Sequence, residues 1–332
     1  MLKSSNTIKF QLSRLKGDIQ LFYKIKEFSS PLKVPEKINL KTKVLKPVVI
    51  LGPGRSGTTL LFNLLNEHPS LVGTTEFPHG EATKVWVKYG GARMAGIGGI
   101  KSKCAIGHSH CLPMTEKDIN EKRVKFLQSY FSNKYSRQLK NGNKLLNKNP
   151  HLSNKIGYLS KIFPDAHIIH MLRHPYSTIA SWKVIIKQFP QLLFEIKPNL
   201  TGCMNIFPNN GWPIPSDENM EKLERLYFYN PDSESSIELL GSYWQNMHSN
   251  ILRQFKIYSP KYYTCRYESL MENQNEELNK VVKFLAIPKK SKWEISVKPN
   301  LQHNWKDILS KTEIKIIRKK ILDVSESFGY KL

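Results

Sequence analysis

One stretch of the chain, VVILGPGRSGTTLL over residues 48–61, constrains the fold more than any other. It begins with a run of β-branched and aliphatic residues flanked by proline and glycine, which is typical of a strand buried on both faces. A glycine turn follows. Residues 56–68 then place leucines at helical spacing and so form one apolar face, which consists of Leu60, Leu61, Leu64 and Leu65. A buried strand, a tight turn and a helix are the first unit of a parallel α/β sheet.

A second unit of the same kind lies further along the chain. Residues 166–172, AHIIHML, form a short apolar run that predicts another buried strand. Pro175 suits the first turn of the helix that follows, because its missing N–H is not needed there. We expect that helix to bury one face, made of Ile179, Trp182, Ile186 and Phe189.

The remaining segments continue the alternation of strands and helices. Ser153 is placed to cap a helix that ends at Phe163. The later pattern predicts a long helix over 238–255, a strand ending in a turn over 261–270, and closing helices over 275–287 and 310–330. The predicted fold class is therefore α/β, a three-layer sandwich with a central parallel sheet and helices on both faces.

The chain of 332 residues is long enough for one sizeable α/β domain, and it contains no internal repeat. We predict an N-terminal tail or arm over 1–45 and one catalytic domain over 46–332. No apolar run reaches the roughly 18 residues that a membrane-spanning helix needs, and the N-terminus lacks the apolar stretch of a signal peptide. A cytoplasmic location is expected, or the lumen of the secretory pathway if an anchor lies outside the sequence.

The formal net charge of +24 predicts anionic partners, such as a nucleotide, a polyanionic acceptor or a membrane surface. The basic residues are spread along the chain rather than gathered in a stripe with aromatic residues, so nucleic acid is not expected as a partner. Cys104 and Cys111 flank His108 and His110, but their spacing matches no standard zinc pattern. We therefore expect no metal.

The glycine turn, Gly52–Thr59, nearly matches the phosphate-loop pattern G-x-x-x-x-G-K-[ST], with Thr58 in place of the lysine. A turn that leads into a helix N-terminus presents several backbone N–H groups and a positive dipole end to one point. Thr58 and Thr59 add hydroxyl donors, and Arg55 adds a positive charge beside the bound group. The turn therefore predicts an anion site.

The second predicted strand ends in Arg173, where enzymes that use Mg²⁺ and a nucleoside triphosphate carry an aspartate. The missing lysine and the missing aspartate argue against a P-loop kinase or NTPase, which we keep as an alternative together with a non-catalytic nucleotide-binding module. Ser181 lies on the helix after Arg173, so the two can converge on a second phosphate. The pattern favours a nucleotide with one phosphate at its 5′ position.

These two motifs together resemble those of the sulfotransferases that use 3′-phosphoadenosine 5′-phosphosulfate (PAPS). GPGRSGTTLL is similar to the family's 5′-phosphosulfate loop, and RHPYSTIAS is similar to its 3′-phosphate motif. The segment CRYESLMENQNEELNKVVKFLAI resembles the family's tyrosine-glutamate segment and following helix. The resemblance covers 47–82, 145–183 and 262–287, and it is closest to the tyrosylprotein-type and carbohydrate-type branches. It implies a P-loop-like fold and sulfuryl transfer from PAPS without a metal.

The resemblance also implies roles for individual residues. Glu76 corresponds to the catalytic base, and Arg55 and Lys148 to the cations that stabilise the leaving phosphate. The donor-binding residues comprise the loop, the second motif and a tyrosine for the adenine: Gly54, Arg55, Ser56, Gly57, Thr58, Thr59, Arg173, Ser181 and Tyr267. His79 and Glu81 lie close enough in sequence to be rival bases. Ser296 is a candidate for a further active-site serine, although its spacing departs from the tyrosylprotein-type pattern.

The acceptor is a hydroxyl compound, and we expect a carbohydrate or another small molecule. Phe207 and Trp212 lie in an irregular insertion and can either stack on a sugar or pack within the protein. The glycine-rich segment 90–111 is a candidate lid. A peptidyl-tyrosine acceptor is the alternative, which is disfavoured because the sequence shows neither a membrane anchor nor the characteristic cysteines of the tyrosylprotein enzymes.

Overall fold

The computed structural model describes residues 44–76, 80–82, 85–86, 114–139, 141–188, 233–291, 293 and 305–332. Within these ranges, five strands form one sheet in which every neighbouring pair is parallel. The strands are β1 (Val48–Leu51), β2 (Leu71–Gly73), β3 (Lys144–Lys148), β4 (His167–Leu172) and β5 (Lys261–Arg266). Their order across the sheet is β2-β3-β1-β4-β5. The predicted central parallel sheet is confirmed.

Helices follow or precede each strand in the described residues. They are α1 (Thr58–Asn66), α2 (Glu121–Lys134), α3 (Ile156–Ile162), α4 (Pro175–Gln188), α5 (Glu234–Tyr258), α6 (Tyr267–Glu272), α7 (Gln274–Leu285), α8 (Trp305–Ile308) and α9 (Lys311–Ser327). Two short 3₁₀ segments span Glu116–Asp118 and Pro150–Asn154. None of the helices described is both long and apolar enough to cross a membrane.

Alternate residues of the central strands pack against helices on opposite faces of the sheet. Val48 and Ile50 share a buried cluster with leucines of α1 and α7. Val49 and Leu51 point the other way and join a cluster with α2, α3 and α5. Side chains alternate between the faces of a strand, so an uninterrupted apolar run such as VVIL requires helices on both sides. The three-layer α/β sandwich is thus built as the sequence predicts.

Three local expectations differ from the structure. Ser153 does not cap a helix: α3 begins after Lys155 without a side-chain cap, and the Ser153 hydroxyl bonds to Gly52 instead. The segment after β5 continues directly into α6 rather than into a turn. Strand β3 was not predicted, because KLLNK mixes polar and apolar residues although all five are buried.

The strand order places β1 at the point where the chain changes direction across the sheet. From β1 the chain crosses to β2 and then returns to pair β3 with β1, whereas β4 and β5 are added on the other side. In open α/β sheets, ligands bind outside the carboxyl ends of the strands at such a point. The glycine turn after β1 occupies this position.

Candidate active site

The predicted site residues that the structure describes follow the carboxyl ends of the five strands. Since the strands are parallel, these ends lie along one edge of the sheet, here called the carboxyl edge. The residues that follow β1, β2, β3, β4 and β5 are, respectively, the loop Gly52–Gly57, Glu76, Lys148 (the last residue of β3), Arg173 and Tyr267. Site residues predicted in segments that are far apart in the sequence therefore lie along one edge of the sheet.

The loop leads into α1 as an anion site requires. Gly57 is the N-cap residue of α1 in the left-handed conformation (φ 98°), and no side chain caps the helix. The first backbone N–H groups of a helix have no partner within it, so they face outward beside Thr58 and Thr59. A Cβ at Gly57 would lie 2.5 Å from Cδ2 of Tyr267, so only glycine fits. Arg55 is also left-handed (φ 69°), which is uncommon for a side-chain-bearing residue.

Two residues that sequence analysis did not assign hold the loop in place. The Ser153 hydroxyl accepts a hydrogen bond from Gly52 N (2.9 Å) and donates to Gly52 O (3.1 Å). The Tyr243 hydroxyl, from α5, accepts the N–H of Gly54 at 2.6 Å. The Ser56 hydroxyl donates within the loop to Pro53 O at 2.7 Å. The N–H of Gly54 and the hydroxyl of Ser56 thus support the loop, while the start of α1 faces outward.

The two phosphate motifs meet directly. Arg55 donates from Nε to the Ser181 hydroxyl at 3.1 Å, and Arg173 donates from Nη1 to the carbonyl of Arg55 at 3.0 Å. The guanidinium of Arg173 lies over the ring of Tyr267, 4.3 Å from its centre. Tyr267 therefore packs between the loop and Arg173, and its predicted contact with adenine remains a prediction.

The pKa values of Arg55 and Arg173 are both lowered. The pKa of Arg55 is lowered by burial and then by the charge of Arg173, and burial also lowers the pKa of Arg173. Guanidinium groups remain charged in proteins all the same. Among the residues described, no carboxylate forms an ion pair with either arginine, and Nε of Arg173 has no hydrogen-bond partner. Arg173 is buried, whereas the Arg55 side chain reaches solvent, and the negative charge of Glu268 acts on Arg173. Two neighbouring cations without a direct ion pair favour an anionic ligand.

The segment after β4 is fixed by the tyrosine-glutamate segment that the sequence singled out. Glu268 accepts the backbone N–H of His174 at 2.8 Å and the hydroxyl of Tyr330 at 3.1 Å. The indole N–H of Trp244 donates to the carbonyl of Arg173 at 3.2 Å. Glu268 thus positions the start of α4, the helix that carries Ser181.

Glu76 lies on the other side of β1 and is held by α2. Its Oε2 accepts the Tyr135 hydroxyl at 2.7 Å, and its Oε1 accepts the Tyr130 hydroxyl at 3.2 Å and pairs with Lys134 Nζ at 2.9 Å. The Tyr135 hydroxyl also accepts the N–H of Thr75 at 2.8 Å. Burial, followed by the neighbouring charge of Glu76, raises the pKa of Tyr135, so its phenol stays protonated as a donor.

Lys148 is not paired with Glu76. Its side chain is 1% exposed, and its Nζ lies 2.6 Å from Oε1 of Glu81, one of the two rival bases. The other rival, His79, and the candidate Ser296 lie outside the described residues, as do Phe207, Trp212 and the segment 90–111. In the described part of the chain there is no cluster of three or more metal-ligating side chains.

Comparison with known proteins finds one family model that matches part of the chain. Residues 47–198, which carry the loop, Glu76, Lys148, Arg173 and Ser181, match the model of a sulfotransferase family. No curated protein matches the chain.

Solved structures similar to the chain include three sulfotransferases. They are the sulfotransferase domain of the Synechococcus PCC 7002 olefin synthase (17% identity, TM-score 0.48, 91% of this chain and 100% of that one), STF9 of Mycobacterium avium (14%, 0.46, 94% and 82%) and the enzyme of Alicyclobacillus acidocaldarius (13%, 0.47, 87% and 98%). The segment 47–198, which is less than half of the chain, is therefore similar to the sulfotransferase family.

Proposed function

We propose that the protein transfers the sulfuryl group of PAPS to a hydroxyl of a carbohydrate or another small hydroxyl compound. The observation that carries the proposal is the convergence of Arg55, Ser181 and Arg173 beside the start of α1. A donor with a phosphosulfate at one end and a phosphate at the other needs two anion sites close together. The loop supplies one, and the Arg173–Ser181 motif supplies the other.

The residues present fit such a donor. The outward-facing N–H groups at the start of α1, with Thr58 and Thr59, would hold the 5′-phosphate. Arg173 and Ser181 would hold the 3′-phosphate. A bound dianion would balance the positive charge of the two neighbouring arginines, and this favours its binding.

The chemistry that the donor supplies is an activated sulfur: the bond from sulfur to the bridging phosphate oxygen breaks as a bond to the acceptor oxygen forms. Negative charge grows on the bridging oxygen, and Arg55 and Lys148 would stabilise it. Glu76 would take the proton of the acceptor hydroxyl. Its hydrogen bonds to Tyr130 and Tyr135 fix the orientation of the carboxylate during that transfer.

Calorimetry with adenosine 3′,5′-bisphosphate, in the absence of metal, tests the donor site. We expect micromolar or tighter binding to the wild type and a loss of roughly 30-fold or more in Arg173→Ala, because a charge-assisted contact to a dianion is removed. Arg253→Ala is the matched control, since Arg253 lies on the exposed side of α5 and bonds only to Asn250 in the described residues. A folded wild type that fails to bind would contradict the proposal and favour the NTPase alternative, which Mg²⁺-dependent ATP hydrolysis would then reveal.

The acceptor is tested separately, with labelled PAPS and a set of hydroxyl compounds that includes sugars, phenols and a tyrosine peptide. We expect label in a sugar or another small molecule. Label in the tyrosine peptide alone would contradict the acceptor class while leaving the donor intact.

A further inference from the structure

Glu81 is held from three sides by consecutive residues at the end of β3. Asn147 and Asn149 donate from their side-chain amides to the backbone carbonyl of Glu81, at 3.2 and 2.9 Å. Lys148, between them, pairs with the Glu81 carboxylate at 2.6 Å. The motif NKN therefore binds one residue of the preceding connection through both its backbone and its side chain.

The amide of Asn147 is itself fixed, so this arrangement is rigid. Its nitrogen also donates to the Thr74 hydroxyl and to the carbonyl of Gly80, both at 2.9 Å, and its oxygen accepts the indole N–H of Trp86 at 3.1 Å. All of these groups are buried. A buried polar network in which every member is satisfied holds its groups in a single geometry.

Burial explains why Lys148 needs such a partner. An ammonium group that is removed from water is costly unless a carboxylate compensates it, and breaking one member of a buried pair leaves an uncompensated charge. Glu81 supplies this compensation at the carboxyl end of β3, next to β1 and its loop. The ammonium of Lys148 is thereby held in one position at the carboxyl edge.

We infer that Glu81 is a positioning residue for Lys148, and that it is not the proton acceptor. This inference rests on the proposed function, in which Lys148 stabilises the leaving phosphate and Glu76 takes the proton. Glu81 then acts only through the lysine: it sets where the ammonium stands when the donor arrives. Its removal should slow sulfuryl transfer without weakening the donor site across β1.

A double-mutant cycle distinguishes the two roles. Glu81→Gln, Lys148→Ala and the double variant are compared by the rate at which labelled PAPS is consumed, with water as the acceptor where no hydroxyl compound is used. We expect Glu81→Gln to lower turnover by about 10- to 100-fold, because misplacing a catalytic group by an ångström has effects of that size. The double variant should be no slower than Lys148→Ala alone, since Glu81 has no lysine left to position.

A second double-mutant cycle serves as the reference for the first. Glu76→Gln combined with Lys148→Ala should show losses that multiply, because proton transfer and leaving-group stabilisation are separate functions. If Glu81→Gln multiplies with Lys148→Ala in the same way, Glu81 acts independently of the lysine and the inference is overturned. Glu81→Asp, which keeps the charge, should recover part of the activity lost in Glu81→Gln.

Two controls separate this result from misfolding and from a wrong function. Glu313→Gln breaks a comparably buried pair, Glu313 with Lys183 at 2.6 Å, so equal thermal shifts with unequal turnover exclude a purely structural effect. Glu81→Gln and Glu76→Gln should bind adenosine 3′,5′-bisphosphate within about threefold of the wild type. A wild type that binds the bisphosphate but consumes no PAPS would overturn the proposed function, whereas an active wild type with multiplying losses would overturn only the role of Glu81.

Discussion

The two halves of the carboxyl edge differ in whether their cations form ion pairs. On the side of β4 and β5, the buried Arg173 lies beside Arg55, and neither forms an ion pair with a carboxylate among the described residues, although the charge of Glu268 acts on Arg173. On the side of β2 and β3, Lys134 and Lys148 each pair with a carboxylate, Glu76 and Glu81. Among the described residues, neither arginine of the first half has a direct ion pair, whereas each of the two lysines of the second half has one.

This difference indicates a division of labour. Uncompensated cations form a site for a charged ligand, because the ligand supplies the missing charge. Compensated pairs suit proton transfer and charge stabilisation, because the groups are held in position before any substrate binds. We call these the donor half and the transfer half. Changes in the donor half should alter affinity, and changes in the transfer half should alter turnover.

The largest effect is expected in the transfer half, from Glu76→Gln. Turnover of PAPS should fall by about 10²- to 10⁴-fold, the usual contribution of a general base, while the dissociation constant of the bisphosphate stays within threefold. Glu67→Gln, which alters an exposed carboxylate paired with Lys290, is the control and should be silent. A comparable loss of bisphosphate affinity in Glu76→Gln would break the division between the halves.

The next effect is expected in the donor half, from Gly57→Ala. The left-handed backbone and the clash with Tyr267 both oppose an alanine there. We expect a loss of about 1–3 kcal/mol in the free energy of unfolding, together with loss of bisphosphate binding. Gly142→Ala is a matched control, because Gly142 is also left-handed (φ 77°) but its Cβ would meet no atom within 4 Å. Equal effects in both variants would show that only backbone strain matters.

One tyrosine supports each half, so the same Tyr→Phe change can be compared between the two halves. Tyr243→Phe leaves the N–H of Gly54 without its partner and should raise the dissociation constant of the bisphosphate several-fold with little change in turnover. Tyr135→Phe removes a donor from Glu76 and should lower turnover several-fold with little change in binding. Each change should cost about 1 kcal/mol of stability by urea denaturation. A loss of turnover in Tyr243→Phe together with a loss of affinity in Tyr135→Phe would refute the assignment of the halves.

The last prediction concerns stability alone and the buried histidines around β4. Burial lowers the pKa of His170 to about 3 and that of His174 to about 4, against 6.5 when unfolded. Between those values the unfolded chain binds protons that the folded chain does not, so the free energy of unfolding falls as the pH drops below 6.5. His174→Phe keeps the aromatic packing and removes one titrating group. Urea denaturation should show that the loss between pH 7 and pH 5 shrinks by about 1–2 kcal/mol, since the ring is part-exposed.

The strands and helices with a clear apolar pattern were predictable from the sequence. Strand β1 and the loop were predictable because the apolar run VVIL is typical of a buried strand and the glycines after it are typical of a tight turn. Strand β3 was missed because Lys144, Asn147 and Lys148 are polar yet buried, and only their distant partners make that possible. Hydrogen bonds between distant segments leave no local pattern.

The site residues divide in the same way. Arg55, Arg173 and Ser181 were found because their spacing carries the family pattern. Ser153 and Tyr243, which hold the loop from residues about 100 and 190 positions away, gave no such signal, because a hydroxyl in a helix or turn is ordinary. The pairing of Lys148 with Glu81 rather than Glu76 depends on the path of the chain between β2 and β3, which sequence spacing does not determine.

The contact between Tyr330 and Glu268 has a consequence for how the protein is made. The ribosome finishes the phosphate loop early, but the residues that steady the start of α4 through Glu268 are synthesised long afterwards. Domains fold as units during synthesis, so the start of α4 lacks this support until Tyr330 has been synthesised. Synthesis of the segment that carries Tyr330, rather than completion of the loop, is therefore what completes the support of the start of α4.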